Sequence, residues 1–87
     1  MNVYVVMGTC GEYSDRNEWP VVAFLSEERA KQRVVDAERR AKELEAEHPD
    51  YHDDIPDGAN EFDLGMQTSY TGTTYYYLTV EVADAKP

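Results

Sequence analysis

The sequence predicts an α+β fold in two layers, with an antiparallel sheet of three to four strands covered on one face by one long amphipathic helix. Short runs of β-branched and aromatic residues lie near both ends of the chain, and a charged segment with helical periodicity lies between them. With 87 residues, the chain is expected to form one domain, 1–87, which buries roughly 60–65% of its unfolded surface. The last residues, 83–87, are expected to form a loose tail.

The predicted strands follow the order ββαββ around the helix. Residues 3–7 (VYVVM) and 19–25 (WPVVAFL) predict the first two, and Pro20 belongs near the start of its strand because it lacks an N–H. Residues 62–70 give a weaker third strand, and 73–82 (TTYYYLTVEV) give the clearest strand of the chain. Because the first and last strands are the most apolar, we expect them to form the central pair, in the spatial order 2-1-4-3.

The helix is predicted to begin at Ser26, whose hydroxyl can cap the first turn. One helical face carries the residues Ala30, Val34, Ala37, Ala41, Leu44 and His48. Three acid–base pairs spaced four apart are expected on the other faces: Glu27–Lys31, Asp36–Arg40 and Glu38–Lys42. The helix should end near His48, since the following proline disfavours helical geometry in the residue before it.

The net charge of −10 and the pI near 4.4 limit the classes of partner. Such a chain should be repelled by nucleic-acid phosphates and by an anionic membrane surface, whereas a basic protein or nucleoprotein surface should attract it. The single cysteine, Cys10, excludes an intramolecular disulfide. The N-terminus resembles neither a signal peptide nor a membrane span, so we expect a cytoplasmic protein.

The negative charge is concentrated in an acidic connection, residues 49–61, and the residues just after it. Segment 49–64 holds six acids and no base, whereas 26–48 holds seven acids and six bases. The candidate partner-binding acids are Asp50, Asp53, Asp54, Asp57, Glu61 and Asp63, with Glu12 and Asp15 from the first loop. Two interpretations stay open: an exposed patch that imitates nucleic-acid phosphates, or a solubilising linker.

Metal and catalytic sites are not predicted. An EF-hand alignment on Gly58 lacks oxygen ligands at its third and twelfth positions. His48 and His52 are four apart, but the intervening proline breaks the helix that would align them. Acidic neighbours of Cys10 oppose the thiolate that a nucleophile needs. We therefore expect a non-enzymatic protein with no catalytic residue, metal or cofactor.

The tyrosines of the last strand offer a second candidate surface. If the helix covers the face that carries Tyr76 and Leu78, then Tyr75 and Tyr77 stand on the open face of the sheet. Exposed aromatic residues are enriched at protein–protein contacts. This face could therefore bind a partner or a second copy of the chain, or its rings could simply stabilise the sheet by cross-strand pairing.

The stretch YVVMGTCGEYSDRNEWPVVAFLSEERA and the charged helix after it resemble small proteins of bacteriophages and prophages. The shared features are a strand, a G-x-C/Y-x-E/D-Y-S-D loop, a strand ending in Ala-Phe and a Ser-Glu-Glu helix start. By size and charge alone, the chain also resembles anti-CRISPR and related anti-defence inhibitors. These resemblances imply an inhibitor of a nucleic-acid-handling complex in the host bacterial cell. The alternative is a small interaction module or homodimer.

Overall fold

The computed structural model describes residues 1–12, 14, 16–48, 55–69 and 71–83. In these residues the chain forms an α+β structure with one helix and a three-stranded antiparallel sheet. The elements are β1 (Asn2–Cys10), β2 (Asn17–Phe24), α1 (Glu27–Glu47) and β3 (Thr73–Glu81). The strands lie in the order β2-β1-β3, with β1 in the centre.

The α+β class and the pairing of the first and last strands are confirmed, but the predicted fourth strand is not. The element order is ββαβ, so β3 is an edge strand rather than a central one. Within 62–69, turns replace the expected ladder: Asn60 Oδ1 accepts from Phe62 N at 3.0 Å, and Met66 N donates to Asp63 O at 3.0 Å. Local polar groups thus form hydrogen bonds with this part of the backbone, which does not need a neighbouring strand for them. Residues 84–87 of the predicted tail lie outside the described residues.

Helix α1 has the predicted cap and the predicted buried face. Ser26 Oγ accepts from Arg29 N at 3.3 Å. The buried helix residues are Ala30, Ala37, Ala41 and Leu44. The ion pairs along α1 join residues three apart, not four: Lys31–Glu28, Arg39–Asp36 and Arg40–Glu43.

The core lies between α1 and one face of the sheet. Tyr75 packs on Ala37 and Ala41, and the small helix residues let the helix approach the ring closely. Trp19 lies over Gly8 of the paired strand, where an added Cβ would come within 2.5 Å of the indole. Gly8 is therefore the residue that makes room for the indole.

Carboxylates of α1 also bind the outer edge of β3. Glu38 Oε1 accepts from Tyr75 N at 3.1 Å, and Glu45 Oε1 accepts from Thr73 N at 2.9 Å. These backbone donors point away from β1, so the helix side chains occupy positions that a further strand would otherwise fill. The part of the β3 edge at Thr73 and Tyr75 is thereby closed to strand addition.

Candidate protein-binding surface

The register of the sheet identifies the face that α1 does not cover. Tyr75 packs on α1, and successive side chains of a strand point to opposite faces, so Leu78 lies on the other side of the sheet. Val5 lies opposite Leu78, and directly opposed residues of antiparallel strands share a face. We call the uncovered side of the sheet the open face. Its strand residues are Val3, Val5, Met7, Thr9, Glu18, Pro20, Ala23, Thr74, Tyr76, Leu78 and Val80.

Most of the open face is apolar and partly exposed. Leu78 and Val80 are 45% and 42% exposed. The strand pairing continues to the chain start, since Val82 N donates to Met1 O at 2.8 Å, and Met1 is 68% exposed. In an antiparallel sheet with one solvated face, that face is ordinarily polar. The open face departs from this pattern over most of its length.

One end of the open face is closed by a polar cluster around Glu18. The Tyr76 hydroxyl donates to Glu18 Oε1 at 2.6 Å, which joins β3 to β2 across the central strand. Arg16 Nη2 donates to the same oxygen at 3.2 Å, and Arg16 Nε donates to Thr9 Oγ1 at 3.2 Å. The hydrogen bond to Glu18 raises the pKa of the Tyr76 phenol. The one carboxylate of this face is therefore already bound by two donors.

The predicted positions of the tyrosines are wrong. Tyr75 is only 6% exposed and contacts α1, and Tyr77 is half-buried on the same side. The Tyr77 hydroxyl donates to Glu27 Oε2 at 2.8 Å, and its ring meets Tyr4 edge to face with centroids 6.3 Å apart. Leu78, which was expected to face the helix, lies instead on the open face.

The error has a physical cause in the composition of β3. Both faces of its YYYLTV run are aromatic or aliphatic, so alternation alone cannot identify the covered face. The available signal was Gly8, which marks where bulky rings approach β1 closely. Its partner across the ladder is Tyr75, which therefore belongs to the packed side.

Asp63 was predicted to lie on an exposed acidic patch, and the predicted exposure is wrong. Its side chain is buried, with 3% exposure. Oδ2 accepts from Trp19 Nε1 at 2.9 Å and from the Tyr75 hydroxyl at 2.8 Å. A buried indole N–H and a buried phenol each need an acceptor, and this carboxylate serves both. Burial, together with the nearby carboxylate, raises the pKa of Tyr75.

The remaining acids of the predicted patch are partly described. Glu12, Asp57 and Glu61 are exposed, and Arg40 Nε lies 3.2 Å from Glu61 Oε1. The other candidates, Asp15, Asp50, Asp53 and Asp54, lie outside the described residues. Six of the eight Lys and Arg residues belong to α1, so the cations are concentrated on the helix layer.

Two features of the described residues bear on metal binding and nucleophilic chemistry. These residues contain no group of three or more His, Cys, Asp or Glu residues placed to hold a metal ion. Cys10 lines a groove of about 600 Å³, but it is only 4% exposed and burial raises the pKa of its thiol. In the same part of the chain, no helix is long and apolar enough to cross a membrane.

Comparisons with protein-family models, curated protein sequences and solved structures found no match to this chain. The fold and its surface define a small α+β domain with one sheet face packed under a helix and the other face open and mainly apolar.

Proposed function

We propose that this chain is a non-enzymatic protein-binding module that engages a partner through the open face of its sheet. The observation that supports the proposal is the apolar surface formed by Val5, Leu78 and Val80 with their neighbours on the uncovered side. Complete burial of a Leu or Val side chain stabilises by roughly 1.5–3 kcal/mol. Nearly half of that is still available from Leu78 and Val80, because each remains 45% or 42% exposed.

The distribution of exposed apolar side chains supports the same surface. Leu78 and Val80 lie on the same face of β3, whereas Val35 stands on the outer side of α1 and Leu25 and Leu64 lie outside the strands. Isolated exposed apolar residues are ordinary, but a contiguous group is typical of an interaction site.

Site-specific photocrosslinking tests this proposal. Leu78→benzoylphenylalanine places the photoreactive group on the open face, and Val35→benzoylphenylalanine is the matched control on the helix. After irradiation in a cell extract or with purified protein, we expect defined crosslinked products from the Leu78 position only. Equal products from both positions, or none from Leu78, would refute binding through the open face.

A second candidate function is the inhibition of a nucleic-acid-handling complex by an acidic surface, in the bacterial cytoplasm. It is favoured by the segregation of charge: outside segment 26–48, eleven acids stand against two bases. In the described residues, Glu12, Asp57 and Glu61 supply exposed carboxylates for a basic partner. This candidate needs no change to the open-face proposal, because an apolar contact and an acidic one can serve the same complex.

Salt dependence and matched charge removal test the second candidate. The variant Glu12→Gln/Asp57→Asn/Glu61→Gln removes three acids from outside the helix. The control Glu28→Gln/Glu43→Gln/Glu47→Gln removes three from α1. Capture of a basic partner should weaken as ionic strength rises, and should weaken more in the first variant. If both variants and both ionic strengths give the same capture, the electrostatic mechanism fails.

A further inference from the structure

We infer that the occupant of the open face is a second copy of this chain, packed sheet to sheet with the two helices on the outside. This inference rests on the proposed function, since it names the partner of the same surface. It is supported by the charge of the face, by its area and by the central position of the opposed apolar pair Val5 and Leu78.

The charge of the open face favours an apolar partner over a basic one. Its strand residues include a single charged side chain, Glu18. Since Tyr76 and Arg16 already donate to that carboxylate, a basic partner would find no free acid on this face. The best complement to such a surface is another apolar surface, and every copy of the chain presents one.

The area of the face is sufficient for a reversible dimer. Three strands of eight or nine residues measure about 14 Å by about 30 Å, given the usual strand spacing and rise. Two such faces would bury at least about 800 Å² in total if they were flat, and nearer about 1,200 Å² when the uneven surface of the side chains is included. This is the lower limit of specific interfaces, so we expect a dissociation constant on the order of micromolar.

The geometry of a sheet sandwich places the centre of the contact. Stacked sheets pack about 10 Å apart with their side chains interdigitated. The opposed pair Val5 and Leu78 lies in the middle of the β1–β3 register, so it lies near the twofold axis, where each residue meets its own copy. Glu18 and Arg16 lie toward one end of the open face, at the periphery of the contact.

Ionic strength should distinguish self-association from binding of a basic partner. Each copy carries a net charge of −10. Long-range repulsion between copies is screened by salt, with a Debye length of about 8 Å at physiological ionic strength. Self-association should therefore strengthen as salt is added, whereas attraction to a basic partner should weaken.

Sedimentation of the purified chain from about 5 to about 500 µM, a range that spans micromolar affinity, tests the inference. The wild type should approach twice the 10.0 kDa monomer mass. Leu78→Lys should raise the dissociation constant at least about 10-fold, because a lysine would be buried without a partner. Val35→Lys makes the same charge change on α1 and should follow the wild type.

A more conservative pair of variants separates loss of the dimer from misfolding. Val80→Thr should weaken the dimer and Val35→Thr should not, while circular dichroism and thermal unfolding show that both remain folded. A wild-type monomer at every concentration and ionic strength would overturn the inference, as would equal loss of dimer in the open-face variants and their Val35 controls. If the wild type is monomeric but Leu78→benzoylphenylalanine crosslinks to another protein, the dimer fails and the proposed function stands. If neither association occurs, both fail.

Discussion

Replacement of the buried Asp63 by alanine should destabilise the domain severely. The carboxylate is 3% exposed and accepts from Trp19 Nε1 at 2.9 Å and from the Tyr75 hydroxyl at 2.8 Å. Hydrogen bonds to a charged group contribute about 1.5–3 kcal/mol each, and both donors would remain buried without their acceptor. Asp63→Ala should therefore lower the free energy of unfolding by about 3–5 kcal/mol, a large part of the roughly 4–13 kcal/mol expected for a domain of this size.

Urea denaturation measures this loss, with circular dichroism and the fluorescence of Trp19, the single tryptophan, as signals. Asp57→Ala is the matched control, since that acid is exposed and should change stability by less than about 0.5 kcal/mol. The double-mutant cycle of Asp63→Ala with Tyr75→Phe should give a coupling of about 1 kcal/mol or more. Equal stability of Asp63→Ala and Asp57→Ala would refute the structural role of Asp63.

Three further predictions concern the packed side of the sheet. Burial and the neighbouring carboxylate raise the pKa of Tyr75 above its usual 10.0, so the unfolded chain loses this proton first. The contribution of the Tyr75 hydroxyl to stability is thus complete below about pH 10. Above that pH, urea unfolding should show that the free energy of unfolding falls by about 1.4 kcal/mol per pH unit. Tyr75→Phe should remove this contribution, and the same dependence of stability on pH in the variant would contradict the prediction. Glu38→Ala should lower the free energy of unfolding by about 1–2 kcal/mol, because it leaves the Tyr75 N–H without its acceptor. The control Glu43→Ala loses only a surface ion pair and should lower it by less than about 0.5 kcal/mol. Equal losses in the two variants would refute the edge contact. Gly8→Ala should lower stability by about 1–3 kcal/mol, since its Cβ would lie 2.5 Å from the indole, whereas Gly65→Ala, with no atom nearer than 3.9 Å, should be nearly neutral in thermal unfolding.

The helix and the main strands could be predicted because local signals agree there. Ser26 supplies the cap, and Ala30, Ala37 and Ala41 repeat at helical spacing, so propensity and pattern identify the same face. The edge of β3 could not be predicted in the same way. Glu38 was expected to pair with Lys42, and nothing in the sequence distinguishes Glu45 from its neighbours. Only the position of the two residues beside β3 shows that they accept its backbone N–H groups. Sequence spacing within a helix says nothing about the strand beside it.

The connection after α1 was the least predictable element. An acid-rich segment is typical of a solvated loop, yet Asn60 and Asp63 are both buried. Asn60 Nδ2 donates to Ala37 O at 3.1 Å, so this amide binds the connection to the helix backbone. Composition identifies neither residue, since buried polar groups are defined by donors and acceptors that are distant in sequence. For Asp63 these are Trp19 and Tyr75.

Contacts between residues distant in sequence also decide which tyrosines lie on the open face, and this is why the sequence prediction chose the wrong ones. When a strand is apolar on just one side, the alternation of its residues identifies the covered face. Strand β3 is apolar on both sides, so alternation does not identify it. The acceptors Asp63 and Glu27 stabilise the Tyr75 and Tyr77 hydroxyls on the helix side and thereby select that face for packing. One helix can cover only one face. The apolar side chains of the other face, centred on Leu78, are then left partly exposed, and their burial requires a second protein surface.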